Sequence, residues 1–453
     1  MTNFSSLGMR RGLLAVACAL GAATTATAQI AFTPGNYVVL RVGDGSAALS
    51  AAATATFLLE YSPTGTLVQT IALPTADAGT TLAFTETGSS STDGFLTRSV
   101  DGRFLIVPGY NAAVGTGSLA GTTAAANNRL VARVSSAGAV TGVARLNDAF
   151  SGGNIRSAAS TDGSTFYAVG NNTGVVVVPV GNTTAASTTV STGAPTNLRS
   201  VGIYRGGLYV SSASGTTQGV AQVGTGLPTA AGSATITPFA GFPTATGPSP
   251  YSFFVTDQSA AVAGVDVVYV ADDRATTDGG IQKWSLVNGT WVLNGTIAST
   301  TAAVRGLTGS VTGTTVSLVA TSSSSLYVVT DNAGYNAAPS TATLPAATAT
   351  NATTSTAFRG VALAPLATAL ATRAEASQQE LALFPNPAQD VLTIALPGGG
   401  AAGRAAEVRD LLGRVVRTAT LPASGQLSLA GLAPGTYLLT VDGSLTRRIS
   451  KVD

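Results

Sequence analysis

Ile155-Arg156-Ser-Ala-Ala-Ser-Thr-Asp162-Gly-Ser-Thr-Phe-Tyr-Ala-Val169 is the stretch on which the fold of this chain turns. It is a short run, an Asp-Gly turn and a second run rich in aromatic and β-branched residues, which reads as strand, turn, strand. The same order recurs in Thr97-Arg98-Ser-Val-Asp101-Gly-Arg-Phe-Leu-Ile-Val107 and in Leu198-Arg199-Ser-Val-Gly-Ile-Tyr-Arg-Gly-Gly-Leu-Tyr-Val210. Val304-Arg305-Gly-Leu, followed by Thr315-Val-Ser-Leu-Val319, is another copy. Pro250-Tyr-Ser-Phe-Phe-Val255, followed by Asp266-Val-Val-Tyr-Val270, is a fainter one without the arginine. Phe358-Arg359-Gly-Val-Ala-Leu363 begins a copy that stops at Pro365. The start points fall about 52 residues apart on average, and no helical period interrupts them.

Strand–turn–strand units at such a period are the signature of propeller blades. The outer strands of a blade are seen in Gly280-Ile-Gln-Lys-Trp284-Ser-Leu-Val-Asn288-Gly289-Thr-Trp291-Val-Leu293, where Asn-Gly makes the hairpin. Trp284 and Trp291 read there as aromatics packed between blades. The stretch from Tyr37 to Leu73 has strands but no arginine-headed first one, which the unfinished copy at Phe358 supplies. The two ends then make one blade, and the ring closes without free edges. The expectation is an all-β chain whose residues 30–368 form a six-bladed β-propeller, with seven blades as the alternative. This region resembles bacterial extracellular propellers of the NHL or YncE-like kind.

Beyond a linker at 369–379, residues 380–453 read as a separate small domain. Phe384-Pro385-Asn386-Pro387 cannot be helical, Asp410-Leu-Leu-Gly413-Arg414 fits a hairpin turn, and Ala433-Pro434-Gly435 turns into Tyr437-Leu-Leu-Thr-Val441. Short strands at this spacing suggest a small Ig-like β-sandwich. The motifs, in this order and with the basic run Arg447-Arg448-Ile-Ser-Lys451, closely resemble the type A C-terminal sorting domain of type IX secretion cargo in Bacteroidetes. The resemblance implies contact with that secretion machinery, removal of the domain near its start, and a secreted or surface location.

The other end agrees. Arg10-Arg11, an apolar run from Leu13 to Leu20 and Ala26-Thr27-Ala28 read as a signal peptide over 1–28. The only cysteine, Cys18, lies within it, and the chain has no histidine. Removing the signal leaves 21 basic against 21 acidic residues, which argues against nucleic acid or an anionic membrane as partner. No later stretch is long and apolar enough to span a membrane. Without histidine and cysteine, a Ser–His–Asp triad, a Cys–His pair and His-ligated metal sites are excluded. Glutamate is scarce too, with Glu60 and Glu86 alone before the linker.

Two sets of residues stand out as candidate sites. Arg98, Arg156, Arg199, Arg305 and Arg359 head the repeats, and propeller symmetry places them in a ring at one mouth of the channel. There they would bind a carboxylate, phosphate or sulfated sugar, or else tie each blade to its neighbour. Asp272, Asp273 and Asp278 crowd one loop that offers oxygen ligands for Ca²⁺, though without EF-hand spacing. The Asp-Gly pairs at 93, 101, 162 and 278 are turn chemistry. The leading expectation is a monomeric, secreted binding module for extracellular glycan or protein, without cofactor. A Ca²⁺-dependent hydrolase of the lactonase or phytase kind and a passive surface-layer protein are the alternatives.

Overall fold

The computed structural model describes residues 30–368 and 382–453, except 184–185, 276–277, 300–301, 352, 396–400, 411–412 and 442–444. The signal peptide and the linker at 369–379 lie outside the described residues. Among the described residues every regular element is a strand apart from one 3-10 turn, Leu119–Gly121. The β-branched runs become strands because both of their faces are covered: Val175, Val176 and Val178 are buried, as are Val267, Val268 and Val270.

Among the described residues of 30–368, four-stranded antiparallel units follow one another. The second comprises Thr97–Arg98, Phe104–Tyr110, Arg129–Ser135 and Val140–Leu146. The third comprises Ile155–Ala159, Thr165–Gly170, Val175–Pro179 and Thr188–Thr189. The fourth comprises Ser200–Tyr204, Gly207–Ser214, Thr217–Val223 and Ala234–Pro238, with the short Ser191–Thr192 pairing parallel at its outer edge. The fifth comprises Pro250–Thr256, Val267–Asp272, Gly280–Val287 and Thr290–Ala298. The sixth comprises Gly306–Thr312, Thr315–Thr321, Ser325–Asp331 and Ala349–Thr350.

The first unit is built from both ends of this region. Ala357–Leu363 pairs antiparallel with Tyr37–Val42, which pairs with Ala53–Tyr61 and through it with Leu67–Ala72. Thr85–Thr87 bridges the first unit to the second, so the two share one sheet. The innermost strands touch in a closed cycle: Thr97–Arg98 meets Ile155–Ala159, and contact passes through Ser200–Tyr204, Pro250–Thr256, Gly306–Thr312 and Ala357–Leu363 back to Thr97–Arg98. The arrangement is propeller-like, and its cores lie between neighbouring units rather than at one centre. The fourth and fifth units share the aromatic core, where Trp291 stacks on Phe239 at 4.5 Å and Trp284 on Phe242 at 4.1 Å.

Turn chemistry sets the hairpins. Asn288 and Gly289 both have positive φ, 50° and 79°, at the tip between Val287 and Thr290, as a type I′ turn requires. Residues 382–453 fold into two antiparallel sheets around a single core that includes Leu392, Val408, Leu427, Leu439 and Ile449.

Candidate functional site

The sorting motifs hold this sandwich together. Asn386 accepts the amide of Ser450 at 2.9 Å and donates to the carbonyl of Arg448, which fastens the last strand, Leu445–Lys451, beside Pro385 and Pro387. Asp410 accepts from the backbone and guanidinium of Arg414 while Gly413 takes φ 84°, so one carboxylate closes the turn. Tyr437 reaches back across Pro434 and Gly435 to the carbonyl of Ala433 at 2.6 Å, a tyrosine-corner contact. Arg447 and Arg448 remain exposed.

The arginines of the repeat divide into two groups. Backbone hydrogen bonds align the units: the amides of Phe95, Ser252 and Gly360 donate to the carbonyls of Arg156, Arg305 and Gly94 in the following unit. The position of Arg156, Arg199, Arg305 and Arg359 is therefore taken by Gly94 in the second unit and Tyr251 in the fifth. Arg98 lies four residues further along its strand. The Arg-Ser pair that Arg98 shares with Arg156 and Arg199 does not mark phase, because the extended lead-in at 94–97 takes the place in the ladder that those arginines hold.

The four arginines in phase are engaged mainly by neighbouring segments. Arg156 donates to the side chain of Asn197 at 2.6 Å and to the carbonyl of Leu198. Arg199 reaches Ser249 and the carbonyl of Pro250, and lies 4.2 Å from the ring centre of Tyr251. Arg305 pairs with Asp273 at 2.8 Å and faces the same ring from 5.4 Å. Arg359 is buried, donates to the carbonyl of Gly88 and lies 3.5 Å from Asp93. Burial, and the neighbouring charge of Arg199 after it, lower the pKa of Arg156. Arg156 Nε is buried and has no partner among the described residues.

Arg98 faces a cavity of about 480 Å³ to which all the innermost strands contribute. Its rim carries residues from the C-terminal ends of those strands, including Tyr204, Thr256 and Leu363, and none of the four in-phase arginines lines it. Among the described residues Arg98 makes one hydrogen bond, 3.2 Å to the carbonyl of Ala364, although a guanidinium carries five N–H groups. Burial lowers its pKa, and the group stays cationic. Arg205 forms an ion pair with Asp257 on the same rim. Tyr204, half-buried against Phe253 and Phe254, supplies the apolar wall.

The acidic loop is neutralised by cations of the chain itself. Asp272 accepts from the guanidinium and amide of Arg274 and from the amide of Ser249. Asp273 is paired with Arg305, and Asp278 is exposed, 3.6 Å from Arg274. Among the described residues no group of three or more acidic side chains is placed to hold a metal ion.

One cluster has no signature in the sequence. Asp93, whose Asp-Gly pair reads as turn chemistry, is a fully buried carboxylate, and Glu86 is fully buried too. Burial first, and Asp93 next, push the Glu86 carboxyl well above the usual carboxylate range. An Asp-Gly pair carries no local sign that its carboxylate turns inward.

Residues 382–452 match the family described as the secretion system C-terminal sorting domain. The chain is therefore a type IX secretion cargo, delivered to the cell surface or outside. No helix among the described residues is long and apolar enough to cross a membrane. No curated protein matches the chain. Solved structures resemble it remotely. PorZ, a surface component of the type IX secretion system of Porphyromonas gingivalis, has 14% identity and a TM-score of 0.38, the match covering 93% of this chain and 59% of PorZ. A putative 6-phosphogluconolactonase from Bacteroides uniformis has 11% identity and a TM-score of 0.38, covering 87% and 99%. The periplasmic gluconolactonase of Pseudomonas aeruginosa has 13% identity and a TM-score of 0.36, with the same coverage. These likenesses are remote, and the functional reading rests on this chain's own residues.

Proposed function

We propose that the exported chain is a six-bladed propeller, with an Ig-like sorting sandwich behind it, that binds a small carboxylate-bearing ligand in its channel. An acidic sugar of extracellular glycan is the ligand class with matching chemistry. The observation that carries this reading is the cavity of about 480 Å³ with the underused guanidinium of Arg98 on its wall. Ligand sites are concave, mostly apolar and furnished with a few directed polar groups, and arginine recognises carboxylates through two parallel hydrogen bonds. Tyr204 and Phe254 offer an apolar face for a ring while Arg98 takes the charge. A second reading puts the ligand at the opposite ends of the strands, around Arg156, Arg199, Arg305 and Tyr251, and is favoured by the unpartnered Nε of Arg156. The hydrolase reading has less support, since Asp272 and Asp273 already neutralise Arg274 and Arg305.

Binding of uronic-acid oligosaccharides and their neutral counterparts, measured on an array and by calorimetry, separates these readings. Arg98→Ala should weaken acidic-glycan binding by at least about tenfold, the loss of one good charge-assisted contact. Arg156→Ala with Arg199→Ala should leave it in place. The reverse pattern moves the site to the other mouth, and equal binding of neutral and acidic glycans sinks the anionic class.

A further inference from the structure

We propose that Glu86 and Asp93 hold one proton between them, and that this shared proton locks the closing strand Ala357–Leu363 to the segment at 86–95 and makes ring closure alkali-sensitive. Both carboxylates have no measurable exposure. Neither oxygen of Glu86 has a partner among the described residues, and one oxygen of Asp93 is also without a hydrogen bond. The other oxygen of Asp93 accepts from Thr87 at 2.7 Å and from Asn154 at 3.2 Å. Burial first, and the charge of Asp93 after it, raise the Glu86 carboxyl well above the usual carboxylate range. Neighbouring carboxylates out of water oppose each other's ionisation, whereas a neutral acid donating to its ionised neighbour gives the unbonded Asp93 oxygen a partner.

The joint is the place where the ends of the ring meet. Arg359 of the closing strand sits 3.5 Å from Asp93 and donates to the carbonyl of Gly88. The backbones are close enough that a Cβ on Gly360 would stand 2.7 Å from the Cα of Phe95. The charged and titratable groups facing the pair are few. Arg359 comes from the closing strand, Tyr110 from Phe104–Tyr110, Arg129 lies behind Tyr110, and Arg156 acts on Asp93 from the third unit. With one proton in place, a single negative charge faces Arg359. Without it, two negative charges are buried against one guanidinium.

The sign follows from linkage. The unfolded chain gives up the Glu86 proton near the ordinary pKa of about 4.3, while the folded chain keeps it to higher pH. Stability from this group is thus complete below that pH and declines as pH rises, until the folded pair releases its proton. Thr87 and Asn154, which donate to the other oxygen of Asp93, line a surface pocket, so the pair lies one residue away from solvent.

Three measurements test this on the full chain. Carboxyl ¹³C NMR with labelled glutamate follows all five glutamates of the sequence. One resonance should keep its protonated position at about pH 7, far above the usual glutamate range, and it should vanish in Glu86→Gln. Five resonances that all titrate in the usual range overturn the proposal. Between about pH 5 and pH 9, the wild-type melting temperature should fall faster than that of Glu86→Gln, whose amide donates as the neutral acid does. Hydrogen exchange in 357–363 should quicken with pH beyond its intrinsic rise in the wild type alone. Parallel melting curves and parallel exchange overturn the lock.

Discussion

At the scale of single residues, the chain buries an ion pair that the sequence does not advertise. Lys283 and Asp331 are both fully buried and lie 2.7 Å apart, with Tyr269 donating to the same carboxylate at 2.6 Å. Burial opposes ionisation of Asp331, yet the hydrogen bonds from Lys283, Tyr269 and two backbone amides outweigh it and hold the carboxyl below its ordinary pKa. The stability this contributes is present above the unfolded pKa and is lost as pH falls through the folded value. Lys283→Met should cost about 3–5 kcal/mol at neutral pH, because it leaves a buried carboxylate without its cation. Denaturant unfolding measures this, and a loss below about 1 kcal/mol would mean that Tyr269 and the amides suffice. Lys283 is one of the two lysines of the sequence, and Asp331 belongs to no motif. A buried ion pair 48 positions apart is set by two units packing together, not by local pattern.

At the scale of elements, the local signals were legible where the physics is local. Asn288-Gly289 reads as a hairpin tip and takes the positive φ values that such a tip demands. Trp284 and Trp291 read as packing aromatics, and both are buried between the fourth and fifth units. Trp291 lies flat on Phe239, with 5° between the ring planes, so truncation removes a stacked pair together with a large apolar volume. Trp291→Ala should cost about 3–5 kcal/mol in chemical denaturation. A near-neutral result would show that Phe239 and Phe242 collapse into the space. The arginine of the repeat is a mixed case: its recurrence was legible, but its phase was not. Arg98 shares its following serine with Arg156 and Arg199 and not their place in the ring, because strand register follows hydrogen bonding rather than residue count.

At the scale of the molecule, the two ends of the 30–368 region depend on each other. Tyr37–Val42 has Ala53–Tyr61 on one side and Ala357–Leu363 on the other. A chain ending at residue 356 would leave Tyr37–Val42 with a bare inner edge, which invites pairing with other chains. It should lose its cooperative melting transition and appear as aggregate in size-exclusion chromatography. A chain ending at residue 368 should melt like the intact protein, since its ring is complete and the sorting sandwich has its own core. Equal behaviour of the two truncations would show that closure contributes little to stability.

The sequence alone determined the all-β class, the repeat, the closing role of the unfinished copy at Phe358 and the sorting motifs. Each of these is written in short runs, turn residues and spacing, which are properties of neighbouring residues. It also excluded histidine- and cysteine-based chemistry by composition. The tertiary structure alone decided which arginine faces the cavity, which are tied to neighbouring units, and that Asp93 turns inward against Glu86. These are matters of register and of packing between units remote in sequence. The long-range contacts that set them leave no local pattern in a chain to be read beforehand.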